Sequence, residues 1–273
     1  MKKCSIYIFA AVLAVPIWAA DAGAAGMMAV TFPSKSGWTV SGTAGAPGYE
    51  QAHRVNTSSD QSSWGNTYSL VDCNGLSTGA VMDLYASEIW SWYFGAATND
   101  HERMMDSGIS SVSGVTEVHV IDIGYASYDV VVYFSSQLEY PLVSKYTIGS
   151  TSAYAQLAAM SYFGNNDTYV AVPLTSTADL QGSTPAGNYI VFKNVTGSTL
   201  DIQVTAGWYG NSIYTYQPGS PRASISGFQI IEIVENSDVD DEPLLGDLNE
   251  DGNIDYFDLA IIAGSWLLEG STV

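Results

Sequence analysis

Thr199-Leu200-Asp201-Ile202-Gln203-Val204-Thr205 decides the fold. Leu200, Ile202 and Val204 fall on one side, and Asp201, Gln203 and Thr205 on the other. That period of two marks a half-buried antiparallel strand, one face in a core and one in water. Working outward, the same grammar recurs at Val81–Tyr85, Glu117–Ile123, Tyr128–Phe134, Lys145–Ile148, Tyr169–Val172, Asn188–Phe192 and Phe228–Val234. These runs are short and rich in β-branched and aromatic residues, and Gly, Asn, Ser and Pro separate them. About ten such strands in some 200 residues predict an antiparallel β-sandwich or jelly roll. The one helical signal in this stretch lies around His101–Asp106.

Composition narrows the function. The 273 residues carry 8 Lys+Arg against 28 Asp+Glu, a formal net charge of −20. So acidic a chain repels nucleic acid and anionic lipid. Hydrophobic residues make up 47%, ample for a packed core.

The N-terminus reads as an address. Met1-Lys2-Lys3 is a positive start, Ile6 to Trp18 is apolar and broken by Pro16, and Ala19-Ala20-Asp21-Ala22-Gly23-Ala24 supplies small residues. That order is a secretory signal peptide over about residues 1–22, and the apolar run is too short to span a membrane. Cleavage is expected near residues 19–24, and the product is secreted or held at the cell surface. Removing the leader leaves Cys73 as the sole cysteine, so no intramolecular disulfide forms. Cys73 is expected to be a small buried hydrophobe.

Acidic charge divides the rest. From Glu235 onward the chain holds 11 of its 28 acids and neither Lys nor Arg. Residues 27–234 form the β body. Residues 235–245, a run of like charge with Pro243, read as a solvated linker. Residues 246–270 form a separate module.

That module holds the most specific motif, Asp247-Leu248-Asn249-Glu250-Asp251-Gly252-Asn253-Ile254-Asp255-Tyr256-Phe257-Asp258. Calcium takes six to eight oxygens, and an EF-hand-type loop delivers them at fixed positions. Asp247, Asn249 and Asp251 stand at positions 1, 3 and 5, and Gly252 turns the chain at 6. Asn253 offers its carbonyl at 7, Asp255 stands at 9 and Asp258 at 12. Four carboxylates repel one another without the metal, so Ca2+ binding couples to folding. Asp258–Leu268 then reads as an amphipathic helix bearing Ile261, Ile262 and Trp266. Loop plus helix, with Asp at position 12, resembles a single repeat of a type I dockerin. The resemblance implies an attachment role and a cohesin-like or other protein partner for the helix. A full dockerin has two repeats and often carries small hydroxyl residues at positions 10 and 11. Here there is one repeat, and Tyr256 and Phe257 stand at those positions.

The body also has a family look. Gly187-Asn188-Tyr189-Ile190-Val191-Phe192, followed by Arg222-Ala223-Ser224-Ile225-Ser226-Gly227-Phe228-Gln229-Ile230-Ile231, resembles the closing strands of galactose-binding-like jelly rolls in bacterial (planctomycete-type) extracellular proteins. The resemblance implies a fold more than an activity.

A glycan needs aromatic faces to stack on and polar groups for its hydroxyls. Trp208, Tyr209 and Tyr214 cluster among Gly207, Gly210 and Pro218, which predicts a loop, and Arg222 offers a clamp. These four are the candidate ligand residues. Catalytic signatures are missing. Glu117, Asp122, Glu139, Asp167, Asp201 and Glu232 could supply a glycosidase pair, but no spacing singles out two. The favoured expectation is therefore an exported, calcium-binding, non-catalytic protein that recognises polysaccharide. A small jelly-roll glycoside hydrolase and a structural surface or assembly protein stand as alternatives.

Overall fold

The computed structural model describes residues 26–33, 38–57, 66–91, 97–111, 114–135, 143–157, 168–174, 186–209, 212–213 and 223–234. The chain divides into two units, Met1–Ile233 and Val234–Val273. All elements below belong to the first. The signal-peptide residues, the acidic linker, the calcium-loop residues, Tyr214 and Arg222 lie outside the described residues.

The described chain runs β1 (Met27–Thr31), β2 (Val55–Asn56), β3 (Tyr68–Val71), β4 (Ser77–Tyr85), β5 (Glu88–Ser91), α1 (Asp100–Met105) and β6 (Ser107–Ser110). It continues with β7 (Val115–Ile121), β8 (Ser127–Tyr133), β9 (Val143–Ile148), β10 (Thr151–Leu157) and β11 (Ala171–Val172). The last elements are β12 (Ala186–Gly187), β13 (Tyr189–Thr196), β14 (Leu200–Tyr209), β15 (Ser212–Ile213) and β16 (Gly227–Glu232).

Two large sheets account for most of these strands. One has the order β11-β13-β8-β16-β1-β2. The other runs β12-β10-β9-β14-β7-β4-β3, with β15 paired to β14. The protein is mainly β, as its sequence periodicity predicts, and the two sheets make a sandwich. The pairing is not wholly antiparallel. β2, β11 and β12 join parallel to β1, β13 and β10. Each is two residues long and reached by a long crossover, which parallel pairing requires.

The core lies between the sheets. Val130 and Val132 of β8, Ile190 and Phe192 of β13, and Phe228 and Ile230 of β16 face Met82, Leu84, Val118, Val120, Ile202 and Val204 from the other sheet. Leu200, Ile202 and Val204 are all buried, while Asp201 and Gln203 are exposed. Phe134 stacks on Tyr146 with centroids 4.5 Å apart, and the buried Tyr146 hydroxyl donates to the Ser224 carbonyl at 3.0 Å. A buried hydroxyl of this kind is held by its partner or costs free energy.

A second apolar layer covers the other face of the six-stranded sheet. Val131 and Tyr133 pack there against Val40, Ala44 and Ala46 from the 38–57 segment, and against Met104 and Met105 of α1. Asn99 caps α1 by accepting the Glu102 N–H at 2.9 Å. That satisfies one of the donors a helix start leaves open. Two buried methionines on a six-residue helix show why it exists: packing, rather than propensity, holds so short a helix.

Cys73 departs from expectation. It sits half-buried in the turn between β3 and β4, not in the core. The Asp72 carboxylate organises that turn by accepting the Asn74 and Leu76 N–H groups, both at 2.8 Å. The turn chemistry of Asp72-Cys73-Asn74-Gly75 outweighs the apolar preference of one thiol.

Candidate functional site

Trp208 and Tyr209 do not lie on a loop. They end strand β14, where Trp208 pairs with Ile213 and Val143, and Tyr209 with Ser212. The two aromatics are therefore strand residues. Trp90 of β5 is buried, at 4% exposure.

The aromatic gathering in the described residues is elsewhere. Tyr49, Tyr169 and Tyr189 stand half-exposed around Tyr133, which is fully buried. Ring centroids lie 5.8 Å apart for Tyr133 and Tyr169, 6.1 Å for Tyr133 and Tyr189, and 6.2 Å for Tyr169 and Tyr189. Tyr49 meets Tyr189 edge-on at 6.5 Å. His101 of α1 extends the cluster, sharing a 3.0 Å hydrogen bond between Nδ1 and the Tyr169 hydroxyl. Edge-to-face contacts at these spacings are favourable ring geometries.

Alternation along the strands puts this cluster together. Tyr133 and Val131 point away from the core on β8, as Tyr189 and Val191 do on β13. Burial raises the Tyr133 hydroxyl far above the ordinary phenol range, although the Ala46 N–H and the Arg54 charge work the other way. Tyr189 is also raised, first by burial and then by Tyr49. Both phenols therefore stay neutral hydrogen-bonding groups at physiological pH.

Arg54 lies beneath, only 9% exposed. Its guanidinium donates to the Ala44 carbonyl at 2.5 Å and the Gln51 carbonyl at 2.6 Å, and contacts Met104 Sδ at 3.1 Å. Burial lowers its pKa, offset in part by Tyr133, Tyr169 and Asp100. It pins the 38–57 segment and so supports the cluster from below.

A β-bulge carries the cluster's polar rim. The pairing of β13 with β8 slips between Phe192 and Val195, and Asn194 there takes a left-handed φ of 55°. Asp129 of β8 holds the bulge: it accepts the Asn194 N–H at 3.0 Å and the Lys193 ammonium at 2.5 Å. The Asp129 hydrogen bond keeps the Lys193 pKa above its usual value. Lys193 Nζ also lies 5.9 Å from the Tyr49 ring centroid, within cation–π range. Bulges re-aim side chains in this way.

Lys193 belongs to a second feature as well. An open groove of about 520 Å³ runs past the bulge, lined by Lys193, Asn194, Thr147, Thr151, Asp201 and Gln203 among others. Hydroxyls, amides, one ammonium and one carboxylate are the groups that bind polyols. Asp201 is tied to His119 Nδ1 at 2.5 Å on the outer face of the larger sheet.

Of the carboxylates considered for catalysis, Glu117 and Asp201 stand on the outer face of the neighbouring strands β7 and β14, where Gln203 pairs with Glu117 and Asp201 with His119. Glu117 accepts from Gln203 at 3.2 Å, Asp201 faces His119, and Glu232 accepts from the Gly26 N–H. Asp122 sits at a left-handed turn position. Glu139 and Asp167 lie outside the described residues, as do the calcium-loop residues. Among the described residues no helix is long and apolar enough to cross a membrane.

Sequence reasoning missed Tyr49, Tyr169 and Tyr189 because they come from three distant segments. The one available signal was the period-two position of Tyr133 and Tyr189, opposite to the core residues of their strands.

No family model and no curated relative matches the chain. Solved structures that resemble it include the plant peptide RALF23 in complex with FER and LLG2, at 9% identity and a TM-score of 0.37, covering 80% of this chain and 42% of that one. Bacteroides uniformis β-glucuronidase follows at 8% identity and 0.31, covering 56% of this chain and 14% of that one. The ANX2 ectodomain from Arabidopsis thaliana shows 12% identity and 0.31, covering 55% and 42%. This chain spans less than half the length of each.

Proposed function

We propose that this chain is an exported, non-catalytic recognition protein that holds a neutral, hydroxyl-rich glycan at the tyrosine cluster and the adjoining groove. The observation that carries this reading is the group of half-exposed Tyr49, Tyr169 and Tyr189 beside the Lys193–Asn194 bulge. Such rings offer flat apolar faces to sugar C–H surfaces, and the groove offers hydrogen bonds for hydroxyls. The net charge of −20 disfavours polyanionic glycans. Export rests on the leader sequence. The Asp247–Asp258 loop is read as a Ca2+ site that stabilises a dockerin-like attachment module. Its apolar helix, with Ile261, Ile262 and Trp266, would dock a cohesin-like or other protein partner.

The test is retention of the full mature chain on a panel of insoluble and soluble polysaccharides. Retention on one class, lost in Tyr49→Ala and Tyr169→Ala while the fold survives, supports the reading. No retention on any of them overturns it. A Trp208→Ala arm asks whether the end of β14 adds to the surface.

A further inference from the structure

We infer that export cuts the chain between Ala25 and Gly26, so that Gly26 begins the mature protein and its α-ammonium pairs with the Glu232 carboxylate. This rests on the export reading and adds a processing site to it. Hydrolysis of that amide by the signal peptidase consumes one water. It leaves a carboxylate on Ala25 and an ammonium on Gly26.

Gly26 is clasped from both sides. Its N–H donates to Glu232 Oε2 at 2.9 Å, and its carbonyl accepts the Glu232 N–H at 2.7 Å. Strand β1 starts at the next residue, with Met27 paired to Ile231 of β16. No spare residue separates the clasp from the sheet.

Glu232 is half-buried, and none of the ion pairs among the described residues involves it. A carboxylate in that setting gains most from a cation, and a peptide N–H supplies only a dipole. Among the described residues, the Asp72 carboxylate and Cys73 act on the same neighbourhood. Tyr125 packs there, its hydroxyl pushed up to about 12 by burial first, then by the charges of Glu232, Asp72 and Cys73. A free α-amino group at Gly26, with an ordinary pKa near 8, is protonated at neutral pH and meets the carboxylate at the distance already seen.

The residue type fits as well. A Cβ on residue 26 would lie 2.6 Å from the Tyr125 ring and hydroxyl, so a larger residue fits only if that side chain swings aside. Upstream, Gly23 and Ala25 place small residues at the third and first positions before the cut, as the peptidase requires. Cuts after Ala22 or Ala24 satisfy the same rule. Each leaves residues ahead of Gly26, whose N–H then remains an uncharged amide.

The full chain with its own leader would be expressed in an exporting bacterial host. Intact mass and N-terminal sequencing of the exported protein then decide. A mature chain beginning at Gly26 is expected. A processed chain beginning anywhere else overturns this inference alone, and a recovered chain still carrying Met1 overturns the export reading with it. Glu232→Gln supplies an independent readout. The α-amino pKa is raised by pairing, so the stabilisation is complete below about pH 8 and fades as pH rises past the folded value. The variant should melt about 2–4 °C lower at neutral pH, with the gap closing by about pH 10. A gap that persists unchanged there overturns the pairing.

Discussion

The Tyr133 hydroxyl donates to Gln229 Oε1 at 2.6 Å, and both side chains are fully buried. The same hydroxyl accepts the Ala46 N–H at 3.0 Å, while Gln229 Nε2 donates to the Tyr49 carbonyl at 2.6 Å. One tyrosine of β8 and one glutamine of β16 thus fasten the 38–57 segment to the sheet at two points. Tyr49 owes its place in the aromatic cluster to that fastening.

Tyr133→Phe should therefore act on stability and on the surface together. It leaves the Ala46 N–H and Gln229 Oε1 without their buried partner. The expected cost is about 1–3 kcal/mol, read as a lower urea midpoint at unchanged slope. Glycan retention should fall as well, because Tyr49 is less firmly held.

Acid should loosen the same segment. Burial works against ionisation of Asp100, but hydrogen bonds from Arg103, Ser41 and Gly42 outweigh it and hold its pKa below the usual carboxylate value. A depressed folded pKa gives stability that is present above about pH 3.9 and lost as pH falls through the folded value. Amide exchange at Ser41 and Gly42 should speed up below that range. Asp100→Asn should flatten this acid limb.

Gly108→Ala should be among the harshest single changes. The added Cβ would lie 2.4 Å from the Ile225 carbonyl oxygen and 3.1 Å from the Trp90 ring. Ile225 and Ile109 exchange backbone hydrogen bonds at that crossing, so the carbonyl cannot retreat freely. Overpacking of this kind costs about 1–3 kcal/mol, measurable by thermal or urea unfolding.

For the C-terminal loop, calorimetry with Ca2+ on the wild type should show a dissociation constant of about 10⁻⁴–10⁻³ M, as in extracellular modules. Asp247→Ala should abolish the heat. Equal heats in the two proteins would reject the loop assignment.

The strands were legible where one face meets water. Leu200, Ile202 and Val204 alternate cleanly with Asp201 and Gln203, and β14 begins at Leu200 as expected. Less was legible at the edges. β2, β11 and β12 are two residues each, too short to leave a period. The cap was invisible because Val40, Ala44 and Ala46 carry no periodicity and cover the sheet by tertiary contact alone. The tyrosine cluster was hidden for a related reason. Trp208 and Tyr209 cluster in sequence, whereas Tyr49, Tyr169 and Tyr189 meet through segments far apart in the chain.

The pairing of β1 with β16 joins residues 206 apart at the Gly26–Glu232 clasp. During synthesis β1 emerges first, and its β16 partner emerges last among the described strands. Until nearly the whole sandwich has been made, the interior strand Met27-Met28-Ala29-Val30-Thr31 has only the two-residue β2 as a sheet neighbour. Its final register cannot form from the N-terminal end alone. Folding is thereby made late and slow, as high contact order requires, and β1 is the segment a chaperone would have to shield.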